Sequence, residues 1–278
     1  MIARVLSQKF NASLGQPFIV DNRPGASGQV GMPVVAKAPA DGYTLAVSPG
    51  SFLTTNKSIF KALTYDPEAD FTPVSALVNQ TMVLVVKDKQ RFPTAAAFLA
   101  AARAAPGRVT YASSGDGSPQ HLAGLMFEMR TQTQLLHVPY KGGAPAINDT
   151  LAGSVDAMFA VMPEAVSHVL GGKLHALGVM SPQRSAVMPN IPTMAESGIA
   201  DLSLSAWIVL LAPAKTPRAI VDQLNRAVHA AMDADVRARL AENGMEAAPS
   251  TPEGLQQIIA RDTKLHAELV KAAGLVPQ

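Results

Sequence analysis

Hydrophobic positions recur at two spacings along this chain, and the spacing changes repeatedly from one to the other. Ile2, Val5, Leu6 and Phe10 lie three to four residues apart, which predicts a first helix that ends at Gly15. Further along, short apolar segments alternate with segments of helical spacing. This alternation predicts an α/β protein with largely parallel sheets.

The same patterns place the individual elements. Strands are predicted at residues 17–20, 43–48, 71–78, 81–87, 109–112 and 135–138, and the segments 155–161, 175–180 and 202–211 continue the alternation. Helices are predicted at residues 30–37, 95–105, 119–130, 217–232, 234–243 and 252–273, with a further helix ending at residue 151. Residues 181–192 hold three prolines without periodicity, which predicts a long surface loop.

Two loops of small residues each follow a predicted strand and open a predicted helix. The first loop is NRPGASGQVG (residues 22–31) and the second is YASSGDGSPQHLAG (residues 111–124). Main-chain N–H groups at a helix start are unpaired, and the helix dipole adds partial positive charge there. Ligands of α/β proteins bind at the carboxyl ends of strands. The loops therefore predict capture of a small carboxylate.

The residues predicted to contact this ligand lie in the two loops and in nearby turns. The third loop, PYKGGAP (residues 139–145), and the turn after the strand at 43–48 supply further candidates. The full set is Gly25, Ala26, Ser27, Gly28, Ser48, Gly50, Ser114, Gly117, Ser118, Tyr140, Lys141, Gly142, Phe159 and Met162.

Each candidate also has a structural interpretation that stays open at this point. Glycines provide positive φ in tight turns, and Ser118 is suited to cap its own helix. Lys141 is equally consistent with a solvated surface residue. His121 is interpreted as a packing or capping residue, Asp156 as a turn cap, and Trp207 as packing where the chain returns between domains.

Composition excludes several function classes. The 278 residues include 23 Lys and Arg against 21 Asp and Glu, and the basic residues form no cluster, so nucleic-acid binding is not expected. The absence of cysteine excludes disulfides and Cys-ligated zinc. No apolar run approaches the roughly 18 residues of a membrane helix. No nucleophile elbow or metal-ligand spacing is present, so no catalytic residue, metal or cofactor is predicted.

Several segments together resemble the Bug family, the periplasmic solute-binding proteins of tripartite tricarboxylate transporters. They are LGQPFIVDNRPGASGQVG, ADGYTL, YDPEADFTPVSAL, YASSGDGSPQHLAG, HVPYKGGAPAINDTLAGSVDAMF, IPTMAESG and LLAPAKTPRAIVDQLN. The resemblance implies a two-lobed periplasmic binding protein fold of type II-like architecture, with mixed sheets flanked by helices and a cleft between the lobes. The first lobe would comprise residues 1–107 and 205–278, and the second residues 108–204.

The resemblance also implies a function. A non-enzymatic, monomeric receptor in the periplasm would hold a small organic acid through loop amides and deliver it to separately encoded membrane subunits. The alternatives are a binding protein that reports ligand occupancy to a membrane kinase, an enzyme acting on organic acids, and a non-functional product.

Met1 to Arg4 match the interior of the family's first helix. The resemblance therefore implies that a signal peptide, a first strand and a first ligand loop are missing, through a start codon placed too late or a true truncation. We expect the 278-residue chain to be poorly soluble or to bind weakly, and upstream residues to restore it.

Overall fold

The computed structural model describes residues 1–272, 274–275 and 277. Its helices are α1 (Ile2–Leu14), α2 (Met32–Ala36), α3 (Ser51–Thr54), α4 (Asn56–Ile59), α5 (Ala95–Ala104), α6 (Pro119–Thr131), α7 (Gly143–Ala152), α8 (Met162–Leu170), α9 (Arg218–Ala231), α10 (Ala234–Ala241) and α11 (Pro252–Ala272). Its strands are β1 (Ala46–Pro49), β2 (Phe71–Val86), β3 (Thr110–Ser113), β4 (Leu136–Pro139), β5 (Ala157–Val161), β6 (His175–Val179), β7 (Ser205–Pro213) and β8 (Met245–Ala247).

The long strand β2 belongs to two sheets. Its residues 71–81 pair with β7, and β8 joins it at residues 78–80. Its residues 82–86 pair with β5, and β6 pairs with residues 83–86. One continuous strand therefore replaces the two that were predicted at 71–78 and 81–87, because main-chain pairing continues through the polar residues between them.

The α/β class and the mixed sheets are confirmed, but the prediction of largely parallel sheets is wrong. Strand β2 is antiparallel to β5, β6, β7 and β8, and β1 is antiparallel to β7. Parallel ladders join β3 to β4 and to β5. Strand–helix alternation in the sequence does not distinguish these arrangements, because β2 enters both sheets in the opposite direction to its neighbours.

Several helix boundaries follow the predicted capping chemistry. Helix α1 ends at Gly15, which adopts the left-handed conformation. Helix α5 begins after Thr94, whose hydroxyl accepts a 3.1 Å hydrogen bond from the main-chain N–H of Ala97. Helix α6 begins after Ser118, which caps it in the same way with a 3.3 Å bond from His121. The end predicted at residue 273 lies outside the described residues.

The predicted strand at 17–20 is wrong. This segment is irregular and lies along a groove of about 680 Å³ that α1, β1 and β7 also line. The main-chain N–H of Phe18 donates to the side chain of Asn11, and its ring packs edge-on against Phe10. Ile19 is 89% exposed. One hydrogen bond to a side chain and one aromatic contact therefore hold this segment, in place of the main-chain hydrogen bonds that a strand would make with a neighbouring strand.

Four buried clusters lie against the two sheets in the described part of the chain, one on each face of a sheet, and two of them illustrate the packing. Around the first sheet, Leu77 of β2, Leu210 of β7 and Val228 of α9 are buried in one cluster. Around the second, Phe98 of α5 and Phe127 of α6 are buried with residues of β2 and β5. The lobe boundaries at residues 107–108 and 204–205 stay a prediction. Within the described residues, none of the helices combines the length and apolarity needed to cross a bilayer.

Candidate functional site

The first loop adopts an uncommon backbone conformation. Four consecutive residues have positive φ: Gly25 at 125°, Ala26 at 45°, Ser27 at 51° and Gly28 at 88°. Ala26 and Ser27 carry side chains, and for such residues the left-handed region costs roughly 1–2 kcal/mol. Backbone conformations of this kind cluster at ligand sites, where the surrounding structure holds them in place.

Contacts with the second loop and with α4 hold the first loop in place. The hydroxyl of Ser27 donates a 2.9 Å hydrogen bond to the main-chain oxygen of Asp116, and Asn56 Nδ2 donates a 2.8 Å bond to the main-chain oxygen of Ser27. A methyl group placed on Gly115 would lie 3.4 Å from Ser27 Oγ and 3.3 Å from the main-chain oxygen of Tyr140. The structure therefore brings the three predicted loops together around Gly115.

Asn56 is a site residue that the sequence analysis missed. It is fully buried, and its Nδ2 also donates a 2.8 Å bond to the hydroxyl of Tyr65. Its Oδ1 is buried without a hydrogen-bond partner in the described part of the chain. A methyl group on Gly117 would lie 3.4 Å from this oxygen. A buried acceptor of this kind normally binds a water molecule or a ligand donor, so Asn56 marks the junction of the loops as polar.

A chain of hydrogen bonds runs from the second loop to α8. The hydroxyl of Ser114 donates a 2.8 Å bond to Gln120 Oε1, and Gln120 Nε2 lies 3.0 and 3.3 Å from the two carboxylate oxygens of Glu164. Burial raises the pKa of Glu164, and hydrogen bonds from Gln120 and the main chain of Val161 partly oppose this. Any side chain at Gly143, in the third loop, would collide with this carboxylate.

Two histidines lie behind the second loop. The rings of His121 and His137 are parallel, with centroids 3.9 Å apart. The main-chain N–H of Gly117 donates to His121 Nδ1 at 3.1 Å, and the hydroxyl of Ser113 lies 2.6 Å from His137 Nε2. Burial lowers the pKa of His121 to about 3 and that of His137 to about 4. His121 therefore has the packing and capping role that was predicted, and it shapes the second loop.

Asp116 and this pair of histidines place three candidate metal ligands together, which no spacing in the sequence revealed. Their ligand atoms all lie within 4.8 Å of one another. The lone pair of an imidazole nitrogen lies in the plane of its ring, and the planes of His121 and His137 differ by only 5°. Stacked rings cannot direct their lone pairs at one ion, so the arrangement favours a neutral hydrogen-bonded stack. That the protein binds no metal stays a prediction.

The turn after β1 is fixed by Trp207. The main-chain N–H of Gly50 donates to the main-chain oxygen of Trp207 at 2.9 Å, and the indole ring covers Gly50 so closely that a side chain there would overlap it. The indole N–H donates a 2.7 Å bond to Asp262 Oδ2. Trp207, a residue of β7, thus packs between the turn after β1 and α11. The hydroxyl of Ser48 donates to the main-chain oxygen of Pro49 at 3.2 Å. Ligand contact by Ser48 and Gly50 stays a prediction.

Phe159 and Met162 are placed differently from the loop residues. Phe159 is fully buried in β5, where its ring packs against Tyr111 and Phe127. Met162 is fully buried at the first position of α8. Both side chains therefore lie in the core, and their contact with a ligand stays a prediction.

Two residues of the third loop are exposed or partly exposed to solvent, whereas Asp156 is held by other side chains and the main chain. Lys141 is exposed, and Gly142 has a φ of 116° with open space where a side chain would be. Asp156 has a structural role, but not as the predicted turn cap: it accepts a 2.9 Å bond from the main-chain N–H of Thr110, 46 residues away, and forms an ion pair with Arg91.

Known proteins resemble this chain over almost its whole length. The model of the family described as the tripartite tricarboxylate transporter family receptor matches residues 2–275. BugT of Bordetella pertussis is 36% identical over 276 residues, covering 99% of this chain and 85% of BugT. A UPF0065 protein in the tcbD–tcbE intergenic region of Pseudomonas sp. strain P51 is 36% identical over 271 residues, covering 97% of this chain and 80% of that protein.

Solved structures agree with this assignment. Rpa4515 of R. palustris, solved with adipate, has a TM-score of 0.95 at 31% identity and covers 100% of this chain and 93% of its own. The periplasmic binding protein BugD has a TM-score of 0.91 at 30% identity, with the same coverage. MatC of Rhodopseudomonas palustris, solved with bound malate, has a TM-score of 0.89 at 31% identity and covers 97% and 93%. The resemblance to the Bug proteins is therefore confirmed, and the chain belongs to the family of tripartite tricarboxylate transporter receptors.

Proposed function

We propose that this protein captures a small organic carboxylate between two lobes and releases it unchanged. One observation carries the proposal: the hydrogen bond from Ser27 to Asp116 joins the first loop to the second loop, and the third loop meets them at Gly115. Three loops that the sequence predicts as anion sites thus converge. The lobes would be built around the two sheets that β2 connects.

The electrostatics of the loops support an anionic ligand. Helices α6 and α7 have 13 and 10 residues, and they begin within the second and third loops. Their amino termini carry partial positive charge, which favours a carboxylate nearby. The relatives Rpa4515 and MatC were solved with adipate and with malate, so two members of the family hold carboxylates.

Main-chain groups are sufficient for the affinity that a receptor needs. A micromolar dissociation constant corresponds to about −8 kcal/mol. Four or five hydrogen bonds to a charged group, at roughly 1.5–3 kcal/mol each, give about 6–15 kcal/mol, which reaches this value after the cost of association when the bonds are strong and closure also buries apolar surface. A paired arginine is therefore not required, and binding without a fixed cation permits rapid release.

We further propose that the receptor works in the periplasm and delivers its solute to membrane subunits of a tripartite tricarboxylate transporter. The family description and the description of BugD as a periplasmic binding protein support both steps. We infer no reaction, since binding through loop amides leaves the solute without a nucleophile or a general base.

A thermal-shift screen followed by titration calorimetry tests the proposal. The purified chain is titrated with succinate, malate, adipate, acetate and glucose. We expect at least one carboxylate to raise the melting temperature by an amount that grows with the logarithm of its concentration relative to its dissociation constant, and glucose to have no effect. Binding of glucose but of no acid, or conversion of a bound acid into another compound, would overturn it.

A further inference from the structure

Glu164 stands at the end of a hydrogen-bond chain that leads to a predicted ligand residue. Gln120 joins its carboxylate to the hydroxyl of Ser114 through contacts of 2.8, 3.0 and 3.3 Å. Neither Glu164 nor Gln120 was predicted as a site residue, and the carbon-bound hydrogens of Gly143 face the carboxylate directly. These hydrogen bonds connect the second loop to α8, and Gly143 of the third loop lies against the carboxylate.

Glu164 determines which group donates and which accepts in each hydrogen bond between Ser114, Gln120 and Glu164. In its ionised form, which alkaline pH favours, the carboxylate of Glu164 only accepts hydrogen bonds. The amide nitrogen of Gln120 must therefore face Glu164, and its carbonyl oxygen must face the opposite way. Gln120 is 3% exposed, so its amide cannot exchange these roles by turning into solvent.

The carbonyl oxygen of Gln120 in turn fixes the proton of Ser114. A serine hydroxyl has one proton to donate and two lone pairs to accept with. Ser114 donates its proton to Gln120, so its oxygen offers only lone pairs to the partly exposed side of the second loop. A carboxylate oxygen placed there would be repelled, whereas a hydroxyl or ammonium group would be bound.

We propose that Glu164 is a specificity-determining residue: through Gln120 it makes Ser114 a hydrogen-bond acceptor, so that the site prefers acids carrying a hydroxyl or amino group over the unsubstituted acids. This inference rests on the proposed function, and it names the solute class within it. Glu164 acts as a positioning residue, because it works through Gln120. The absence of a side chain at Gly143 lets the carboxylate take this place.

Titration calorimetry with malate and succinate, which differ by one hydroxyl group, tests the inference at pH 8. We expect the wild-type protein to bind malate about 3- to 10-fold more tightly than succinate, as one hydrogen bond allows. In Glu164→Gln the side-chain amides of residues 164 and 120 can both reverse their orientation. The Ser114 hydroxyl is then able to donate its proton to a ligand. We expect this variant to reduce the malate-to-succinate ratio to about 1–2, mainly by improving succinate binding.

Glu128→Gln is the matched control. It removes one half-buried carboxyl from the same helix as Gln120, at the opposite end, where Glu128 accepts a hydrogen bond from the main-chain N–H of Leu135. We expect this control to keep the wild-type ratio even if stability falls. Ser114→Ala removes the acceptor itself from a partly exposed position, and it should abolish the preference without Glu164 being changed.

The outcomes are distinct. An unchanged ratio in Glu164→Gln or in Ser114→Ala, or a wild-type preference for succinate, overturns the role of Glu164 and leaves carboxylate capture intact. If Glu164→Gln does not fold, Ser114→Ala still tests the acceptor, and an unchanged ratio there overturns the proposal. Failure of the wild-type protein to bind either acid, or any other acid of the screen above, removes the proposed function and this inference together.

Discussion

The hydroxyl of Ser27 donates a 2.9 Å hydrogen bond to the main-chain oxygen of Asp116, 89 residues further along the chain. This contact joins two loops that look unrelated in the sequence. Because Asn56 also binds the main-chain oxygen of Ser27, the first loop is held from both sides. The position of the first loop relative to the second therefore depends on a few polar contacts.

Ser27→Ala should weaken this junction. The variant loses one neutral hydrogen bond and leaves the Asp116 oxygen without its partner, which costs about 1 kcal/mol. We expect faster amide hydrogen exchange in residues 25–28 and 114–118 and a solute affinity several-fold lower, with mass spectrometry and calorimetry as the measurements. Ser7→Ala is the control, since the Ser7 hydroxyl bonds only to Arg4 within α1. Equal exchange in both variants would contradict the role given to Ser27.

Gly117→Ala should separate binding from stability. Gly117 has a φ of 72°, so alanine there costs about 1 kcal/mol in backbone strain. The added methyl group would lie 3.4 Å from Asn56 Oδ1, at the junction of the loops. We expect a loss of solute affinity of tenfold or more together with a modest fall in the urea midpoint.

Gly172→Ala provides the comparison for this substitution. Gly172 has a φ of 69° and open space around the position of a side chain. Its substitution should lower the urea midpoint as Gly117→Ala does but leave solute affinity unchanged. If both variants bind solute normally, the loop at Gly117 lies outside the binding site.

Acid should destabilise the protein through three buried histidines. Burial lowers the pKa of His121 to about 3 and those of His137 and His266 to about 4. In the unfolded chain they titrate near 6.5, so the unfolded state binds more protons between pH 6.5 and about 4. Their stabilising contribution is present above pH 6.5 and falls as the pH decreases, by about 1–2 kcal/mol per histidine at pH 5.

Urea denaturation at pH 8, 6 and 5 measures this loss. His137→Gln should flatten the dependence, because one protonatable group is removed. His229→Gln, at an exposed position of α9, should keep the wild-type slope. A free energy of unfolding that stays constant from pH 8 to pH 5 would show that the histidines are not buried in the neutral form.

Gly50→Ala should disrupt the packing of Trp207. Gly50 has an ordinary helical backbone, so the substitution adds no backbone strain, but its methyl group would overlap the indole ring. Forcing a rigid, buried ring aside typically costs 1–3 kcal/mol, occasionally more. The emission of Trp207, the only tryptophan in the sequence, should shift to longer wavelength. Unchanged emission and stability would contradict the close packing.

Local chemistry explains which features the sequence revealed. Ser118 followed by proline predicts the start of α6 within one residue, because the cap satisfies N–H groups of its own helix. The small-residue loops were recognised for the same reason. Their meeting around Gly115 was not visible, since it depends on contacts between segments far apart in sequence.

The features that were missed all depend on such distant partners. The segment 17–20 has strand-like composition, yet a strand forms only beside another strand. Asn56 and Glu164 are ordinary polar residues in sequence, and only the fold surrounds them with the loops. The direction of β2 likewise follows from its neighbours, so alternation alone could not give the mixed sheets.

The continuous path of β2 has a consequence for cooperativity. Residues 71–81 pair within one sheet and residues 82–86 within the other, so the main chain passes directly from one sheet into the next, and melting either sheet frees one end of a strand of the other. We expect one calorimetric transition, with a van't Hoff enthalpy equal to the calorimetric enthalpy, rather than one transition for each sheet.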